Sequence, residues 1–545
     1  MKKTGWHFLL QRRARATSRH LIGQTRRIVP NFWQKVAAII LLAAIILLNG
    51  TLYSHADTLA ESFNTIRKDK VALRQFLQQF PKGGDLHNHL SGTVYAESYL
   101  DWASKDGKCV DITTSSISNP PCELTPTTKP LAEILSDSST FPIDPIVDAL
   151  STRNYDRRTV SGHNQFFATF DRFRVAAEGR FGDMVAEARV RAGNQNISYL
   201  ELMQSVGMME AIGLAPTQSN LEKDATIVLD EAKIDRIVEK VIERLDIIDD
   251  RQNEILGCEK TQPLNAAACE VQVRFLAQVL RNFSPAQVYA QTMLAFKLIQ
   301  ADERIVGLNF VAPEDHRIAL RDYKKHMTFV RDLGRLYPEA SKGVTLHAGE
   351  LTLGLVPPEH LGWHIRDAIE IAGASRIGHG IDIAYDQDMA SLLEIMAKRK
   401  ILVEINLTSN DVILGVNGSA HPLLTYLRSG VPVALSTDDE GVSRIDLTHE
   451  YQRAASSYDL SYQDLKTISR NSLHYSFLPG EPLFAEAGFT QLKAPCSGEV
   501  AGNESKSAAC AEFLSMNSKA NLQWKLESRF SVFEARFTKN AALQR

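Results

Sequence analysis

Eight short strand-like runs, most of them followed by a helical stretch, constrain this chain more than anything else in its sequence. The runs lie at 84–90, 197–202, 271–276, 305–311, 344–347, 376–379, 401–406 and 431–435. Helical periodicity fills 226–249, 315–336 and 358–372 between them. Parallel strands need a long crossover, and a helix is the usual one. Eight such units predict an α/β fold, a (β/α)8 TIM barrel with insertions. The polar residues fall at the C-terminal ends of these runs: His87 and His89, His347, His379, and Asp438 with Asp439. In a barrel of this kind, that end carries the active site.

The rest of the chain is arranged around the barrel, which is expected over 81–480. Residues 57–80 read as a helical lead-in, with Phe63, Ile66, Val71, Leu73, Phe76 and Leu77 at roughly helical spacing. Residues 104–160 are rich in Ser, Thr, Pro and Asp, the composition of a loop insertion. Residues 165–190 read as helical, and Phe166, Phe167, Phe170 and Phe173 form one stripe expected to pack into the core, with a lid over a substrate pocket as the alternative. A helical extension with a cysteine-closed loop is expected over 481–545, outside the barrel.

Charge and cysteines bear on compartment and partners. The net charge is -3, yet residues 1–56 hold nine Lys or Arg and no acid, which leaves the remainder at -12. An acidic body repels a polyanion, so nucleic acid is not the expected partner. The thirteen apolar residues at 36–48 fall short of the about 20 that a membrane span needs. They fit a signal-peptide core, and Ser54-His55-Ala56 offers small residues for cleavage. Retained, the same segment would be a signal anchor, and only then is a membrane a partner. Export would place the protein in the periplasm or outside the cell. Six cysteines fall in three close pairs, Cys109/Cys122, Cys258/Cys269 and Cys496/Cys510, none at metal-ribbon spacing. Disulfides suit an oxidising compartment, although six cysteines leave the connectivity open.

His87-Asn-His89 alternates along a strand, so both imidazoles face one side. With His347 and Asp438 they make three nitrogens and a carboxylate, a set that suits one Zn2+ with a position left for water. A metal there makes water a nucleophile near neutral pH. His379 is placed to orient that water and take its proton. Glu350, three residues after His347 and beyond a glycine, is placed to protonate the atom next to the attacked carbon. Asp439 is cast as a substrate contact. Glu404 and His421 are polar near strand ends and are read as buried structural partners.

These motifs resemble the adenosine deaminase family of the amidohydrolase superfamily. The matching pieces include Gly84-Asp-Leu-His-Asn-His-Leu-Ser-Gly92, Leu346-His-Ala-Gly-Glu350, Arg376-Ile-Gly-His-Gly380, Val403-Glu-Ile-Asn-Leu-Thr-Ser-Asn410 and Leu435-Ser-Thr-Asp-Asp-Glu440. The exported, cysteine-paired character is similar to the secreted branch of that family. The resemblance implies hydrolysis of adenosine and 2′-deoxyadenosine to the inosine products and ammonia. It implies zinc on His87, His89, His347 and Asp438, N1 protonation by Glu350, water handling by His379, and an N7 contact from Asp439. Two positions depart from the family pattern. Ser91 stands where an acid meets the ribose 5′ side, and Ala312 stands where a glycine backbone meets purine N3. The backbone contact at Ala312 survives if φ is negative.

Three alternatives stay open. The same chemistry could act on adenine or on a modified or phosphorylated adenosine. A binuclear hydrolase would need a bridging lysine, and the strand runs ending at Val311 and His347 offer none. An extracellular binding protein on a dead barrel would have lost ligands that this chain keeps. Oligomeric state is not legible in the sequence.

Overall fold

Eight parallel strands circle the centre of the computed structural model, which describes residues 59–122, 125–136, 142–215 and 229–543. They are β1 (Gly83–His89), β2 (Ile197–Gln204), β3 (Gln272–Leu280), β4 (Ile305–Val311), β5 (Thr345–Ala348), β6 (Arg376–His379), β7 (Leu402–Ile405) and β8 (Val433–Leu435). The ladders run β1–β2–β3–β4 and β5–β6–β7–β8, all parallel. Leu308 bridges Val344 to join the two halves. The ring closes where Asn88 bridges Asp438, with His89 N donating to Asp438 O (2.8 Å) and Asp438 N to His87 O (2.9 Å). The expected barrel is thus formed by the strand pairing itself. Closure also ties the first histidine pair to the last acid pair through backbone bonds.

Strands such as β4 and β8 read as near-continuous apolar runs because both faces are covered. All eight residues of β2 are buried. One set of buried charges inside the barrel pairs with itself: Arg376 reaches Glu201 (2.6 Å) and Glu404 (2.7 Å), and its guanidinium stacks on Phe477.

Several expected boundaries shift. The helical stretch expected over 165–190 is two helices, Gly162–Ala177 and Phe181–Asn194, because Gly179 adopts φ +74° between them. The helix expected from 226 begins at Glu231, where the Asp230 side chain caps Lys233 N; residues 226–228 lie outside the described residues. The stretch 358–372 holds a short 3-10 turn and the helix His364–Glu370. The insertion at 104–160 is not only loop: Cys109–Asp111, Ile117–Ser118 and Thr128–Pro130 form a small antiparallel sheet.

The lead-in is helical over 59–66 and Lys70–Gln79. Its Phe63, Phe76 and Phe80 meet Tyr462 and, from the long C-terminal helix Ser518–Leu543, Phe530 and Phe533. Lead-in and extension therefore seal one aromatic cluster against the barrel. The rest of the extension has its own small core around Leu483, Phe484 and Trp524. Cys109–Cys122, Cys258–Cys269 and Cys496–Cys510 are joined as neighbour pairs, with Cα separations of 5.3, 5.5 and 4.6 Å. The leader at 1–56 lies outside the described residues.

Candidate metal centre and catalytic cavity

The C-terminal ends of β1, β5 and β8 bring His87, His89, His347 and Asp438 together, with one ligand atom from each within 4.8 Å of the others. His87 Nε2 is 3.1 Å from His347 Nε2, and His89 Nε2 is 3.3 Å from it. Asp438 Oδ1 stands 3.4 Å from His87 Nε2 and 3.3 Å from His89 Nε2. Donors about 2.0–2.1 Å from one tetrahedral ion stand roughly 3.3 Å apart. The observed spacings match that value.

Hydrogen bonds behind the rings explain why the Nε2 atoms can crowd. His87 Nδ1 meets Glu404 Oε2 (2.6 Å), His347 Nδ1 meets Asn309 Oδ1 (2.9 Å) and His89 Nδ1 meets Gln278 Oε1 (3.1 Å). Each acceptor holds a proton on Nδ1, so each Nε2 presents a lone pair to the common centre. Three converging lone pairs and a carboxylate oxygen repel one another unless a cation sits among them. The donor set therefore fits a divalent metal. Ser409 Oγ donates to Asp438 Oδ2 at 2.5 Å and fixes the fourth donor.

A cavity of about 400 Å³ opens beside this cluster, lined by His89, His347, Glu350, Asp438 and Asp439 and also by Phe166, Phe167 and Phe170. The stripe does both jobs: Phe166 and Phe173 are buried in the core, Phe173 stacked on Tyr99, with Phe167 and Phe170 packed against it, while Phe166, Phe167 and Phe170 also wall the cavity. One helical turn brings all three rings over the same space, as the spacing allows but does not require.

Glu350 is 7% exposed; burial first, and then the Asp438 charge, push its carboxyl well above the usual value. It is held from behind: Glu314 accepts from Gly349 N (3.1 Å) and Glu350 N (2.8 Å), and meets His364 Nδ1 at 2.5 Å. A carboxylic acid that holds its proton more tightly than usual beside such a cluster is suited to deliver it. Asp439 is likewise raised by burial and by Asp438, and it lines the cavity as expected of a substrate contact. His379 ends β6, wholly buried, with its ring centroid 5.1 Å from that of His347.

The two departures resolve differently. Ala312 lines the cavity, but its φ is +76°, so the condition of a negative φ fails. The carbonyl there accepts from Arg281 Nε at 2.9 Å, which fixes the peptide in its glycine-like conformation. Ser91 lies in the helical turn Leu90–Thr93 that follows β1, its carbonyl accepting from Tyr99 Oη (2.6 Å), and it is not among the residues that wall the cavity. Sequence reasoning gave no role to Asn309, Gln278, Ser409 or Asn410. Glu404 is the buried partner expected, and its task is to hold a metal-facing histidine. Alternation along Leu402–Ile405 was the one available signal for that.

The family model for adenosine deaminase matches residues 255–483. That span contains His347, Glu350, His379, Asp438 and Asp439, but not His87 or His89. An adenosine deaminase of Clostridium perfringens is 28% identical over 283 residues, covering 50% of this chain and 77% of that one. One of Shewanella denitrificans is 36% identical over 157 residues, 29% of this chain and 42% of that one. A solved N6-mAMP deaminase of arabidopsis is 18% identical, covers 74% of this chain and 96% of that one, and superposes with a TM-score of 0.47.

Proposed function

Because this chain belongs to the adenosine deaminase family, we propose that it is a zinc-dependent aminohydrolase acting on adenosine and 2′-deoxyadenosine. The observation that carries the reading is Glu350. A buried carboxyl with a raised pKa shares one cavity with His89, His347 and Asp438, three of the four converging donors. His87, His89, His347 and Asp438 would hold the metal, which when bound makes water nucleophilic near neutral pH.

The protein's own groups do the rest. The phenylalanine wall at 166, 167 and 170 takes the purine face and keeps bulk water out. Asp439 meets the imidazole edge of the base. Glu350 donates to N1, which makes C6 electrophilic, and His379 orients the attacking water. The water oxygen bonds to C6 and the C6–amine bond breaks. Of the water's two protons, one balances N1 and the other leaves with the amine as ammonia.

Among the described lining residues there is no Lys or Arg, whereas Asp171, Glu350, Asp438 and Asp439 are present. That supports an uncharged nucleoside over a phosphorylated one. Three disulfides support a site of action outside the cytoplasm.

The test is conversion of adenosine to inosine by the purified zinc-loaded protein, followed by ultraviolet absorbance, with Glu350→Gln as control. Turnover lost in the variant supports the reading. A zinc-loaded protein inert on adenosine but active on adenine or AMP would move the substrate to that purine.

A further inference from the structure

We propose that Asn410 and His421 are positioning residues that fix the proton of His379 on Nε2, so that His379 faces the reaction as a hydrogen-bond donor. The chain of reasoning starts at a group whose role cannot be reversed. The backbone N–H of Leu423 can only donate, and it points at His421 Nδ1 at 3.1 Å. That nitrogen is therefore bare, and neutral His421 carries its proton on Nε2. Burial keeps His421 neutral, because it pushes the imidazole down to about 3.

His421 Nε2 lies 3.1 Å from Asn410 Oδ1. A proton-bearing nitrogen must face the amide oxygen and not the amide nitrogen, so the Asn410 side chain has one permitted orientation. Its Nδ2 then lies 2.8 Å from His379 Nδ1. An amide NH2 is a donor only, so His379 Nδ1 accepts and the proton resides on Nε2. That Nε2 is turned toward the metal cluster, 3.9 Å from Asp438 Oδ2. His379 and Asn410 are wholly buried and His421 is 3% exposed, which limits water. The other neighbours of the His379 ring stand farther off than the 2.8 Å of Asn410: Asn406 Nδ2 at 3.5 Å from Nδ1 and 3.4 Å from Nε2, and Glu350 Oε1 at 3.6 Å from Nδ1.

The consequence concerns the reaction proposed above, on whose reading this inference rests. A water beside Asp438 would be held through its oxygen by His379 Nε2–H. The opposite tautomer would set two N–H groups against each other inside the protein, which costs the desolvation of both. Asn410 and His421 thus act on catalysis through His379 without touching substrate.

The experiment uses zinc-loaded protein labelled with [15N]-histidine, with the His379 signal assigned by its absence in His379→Gln. The wild type is expected to show a protonated Nε2 and a bare Nδ1. Asn410→Asp replaces the donor by an acceptor and should move the proton to Nδ1. It should lower kcat by roughly a hundredfold, as expected for misdirecting one catalytic donor, with KM and zinc content nearly unchanged. His421→Ala, which keeps Asn410 but frees its amide, should show a mixed tautomer and a smaller fall. His421→Gln, which still offers an N–H, should recover much of it. A protonated Nδ1 in the wild type would overturn the proposal, as would unchanged tautomer and kcat in Asn410→Asp. Should that variant not fold, unchanged His379 signals in His421→Ala overturn it equally. If the wild type turns over no aminopurine while the tautomer still responds to Asn410, the deaminase reading fails and the positioning pair stands.

Discussion

The Asp439 carboxylate occupies the space that a side chain on Gly92 would need; a Cβ there would overlap Asp439 Oδ1. Glycine after Ser91 therefore lets the turn after β1 pass against Asp439, the cavity-lining acid just beyond β8. Gly92→Ala should displace Asp439 and reduce kcat/KM on adenosine by about tenfold or more, the scale at which misplacement near a reacting centre acts. Metal content should be retained, and metal analysis beside kinetics separates this from collapse of the cluster.

Glu404 anchors His87 and also receives Thr345 Oγ1 (2.8 Å) and Arg376. Glu404→Gln keeps the shape but can no longer accept at both oxygens. Zinc affinity should fall about 10–100-fold, as for other outer-shell partners of metal histidines. Chelator competition measures it. Unchanged affinity would show that His87 does not need this support.

Glu350→Gln removes the proton and keeps the volume. Turnover should fall about 10²–10⁴-fold with zinc content unchanged, since Glu350 is not one of the four converging donors.

Ala312 holds φ +76° at the end of β4. Left-handed backbone costs a non-glycine residue about 1–2 kcal/mol. Ala312→Gly should therefore stabilise the fold by about 1 kcal/mol after the added flexibility of the unfolded chain is counted. Urea unfolding would show it, and a loss of stability would mean that the Arg281 bond does not hold the peptide as described.

Glu450 is buried in the helix Leu447–Ser457 and bonds Thr408, next to Ser409 and Asn410. Burial raises its carboxyl from 4.5 to about 7. The folded state then binds more protons than the unfolded state between those values, so this group lowers stability as pH rises through that window. The full effect, about 3 kcal/mol at 1.36 kcal/mol per unit, is reached above pH 7. Glu450→Gln should flatten the pH dependence of unfolding between pH 4.5 and 7. An unaltered slope would mean that Glu450 ionises in the fold without penalty.

The alternation of apolar runs with helical stretches was enough to give the barrel, because parallel strands covered on both faces must be apolar and must be joined by long crossovers. The polar exceptions at strand ends gave the four donors, Glu350, His379 and Asp439 for the same reason: a charged residue in such a run has few causes other than a site. The cysteine pairs could be guessed from proximity in sequence, since loops of this length can bring their ends together. What lay beyond reach were relationships between residues far apart in the chain. Glu404 behind His87, Asn309 behind His347 and the run from Leu423 through His421 and Asn410 to His379 depend on which strand ends the closed barrel makes neighbours. The same holds for the phenylalanine stripe, whose spacing fixes a shared face but not what that face meets. The sign of φ at Ala312 was decided by the Arg281 bond to its carbonyl. Residue type and period are local properties and can be read along the chain; tautomer, cavity wall and backbone strain arise only when distant segments compete for the same buried space.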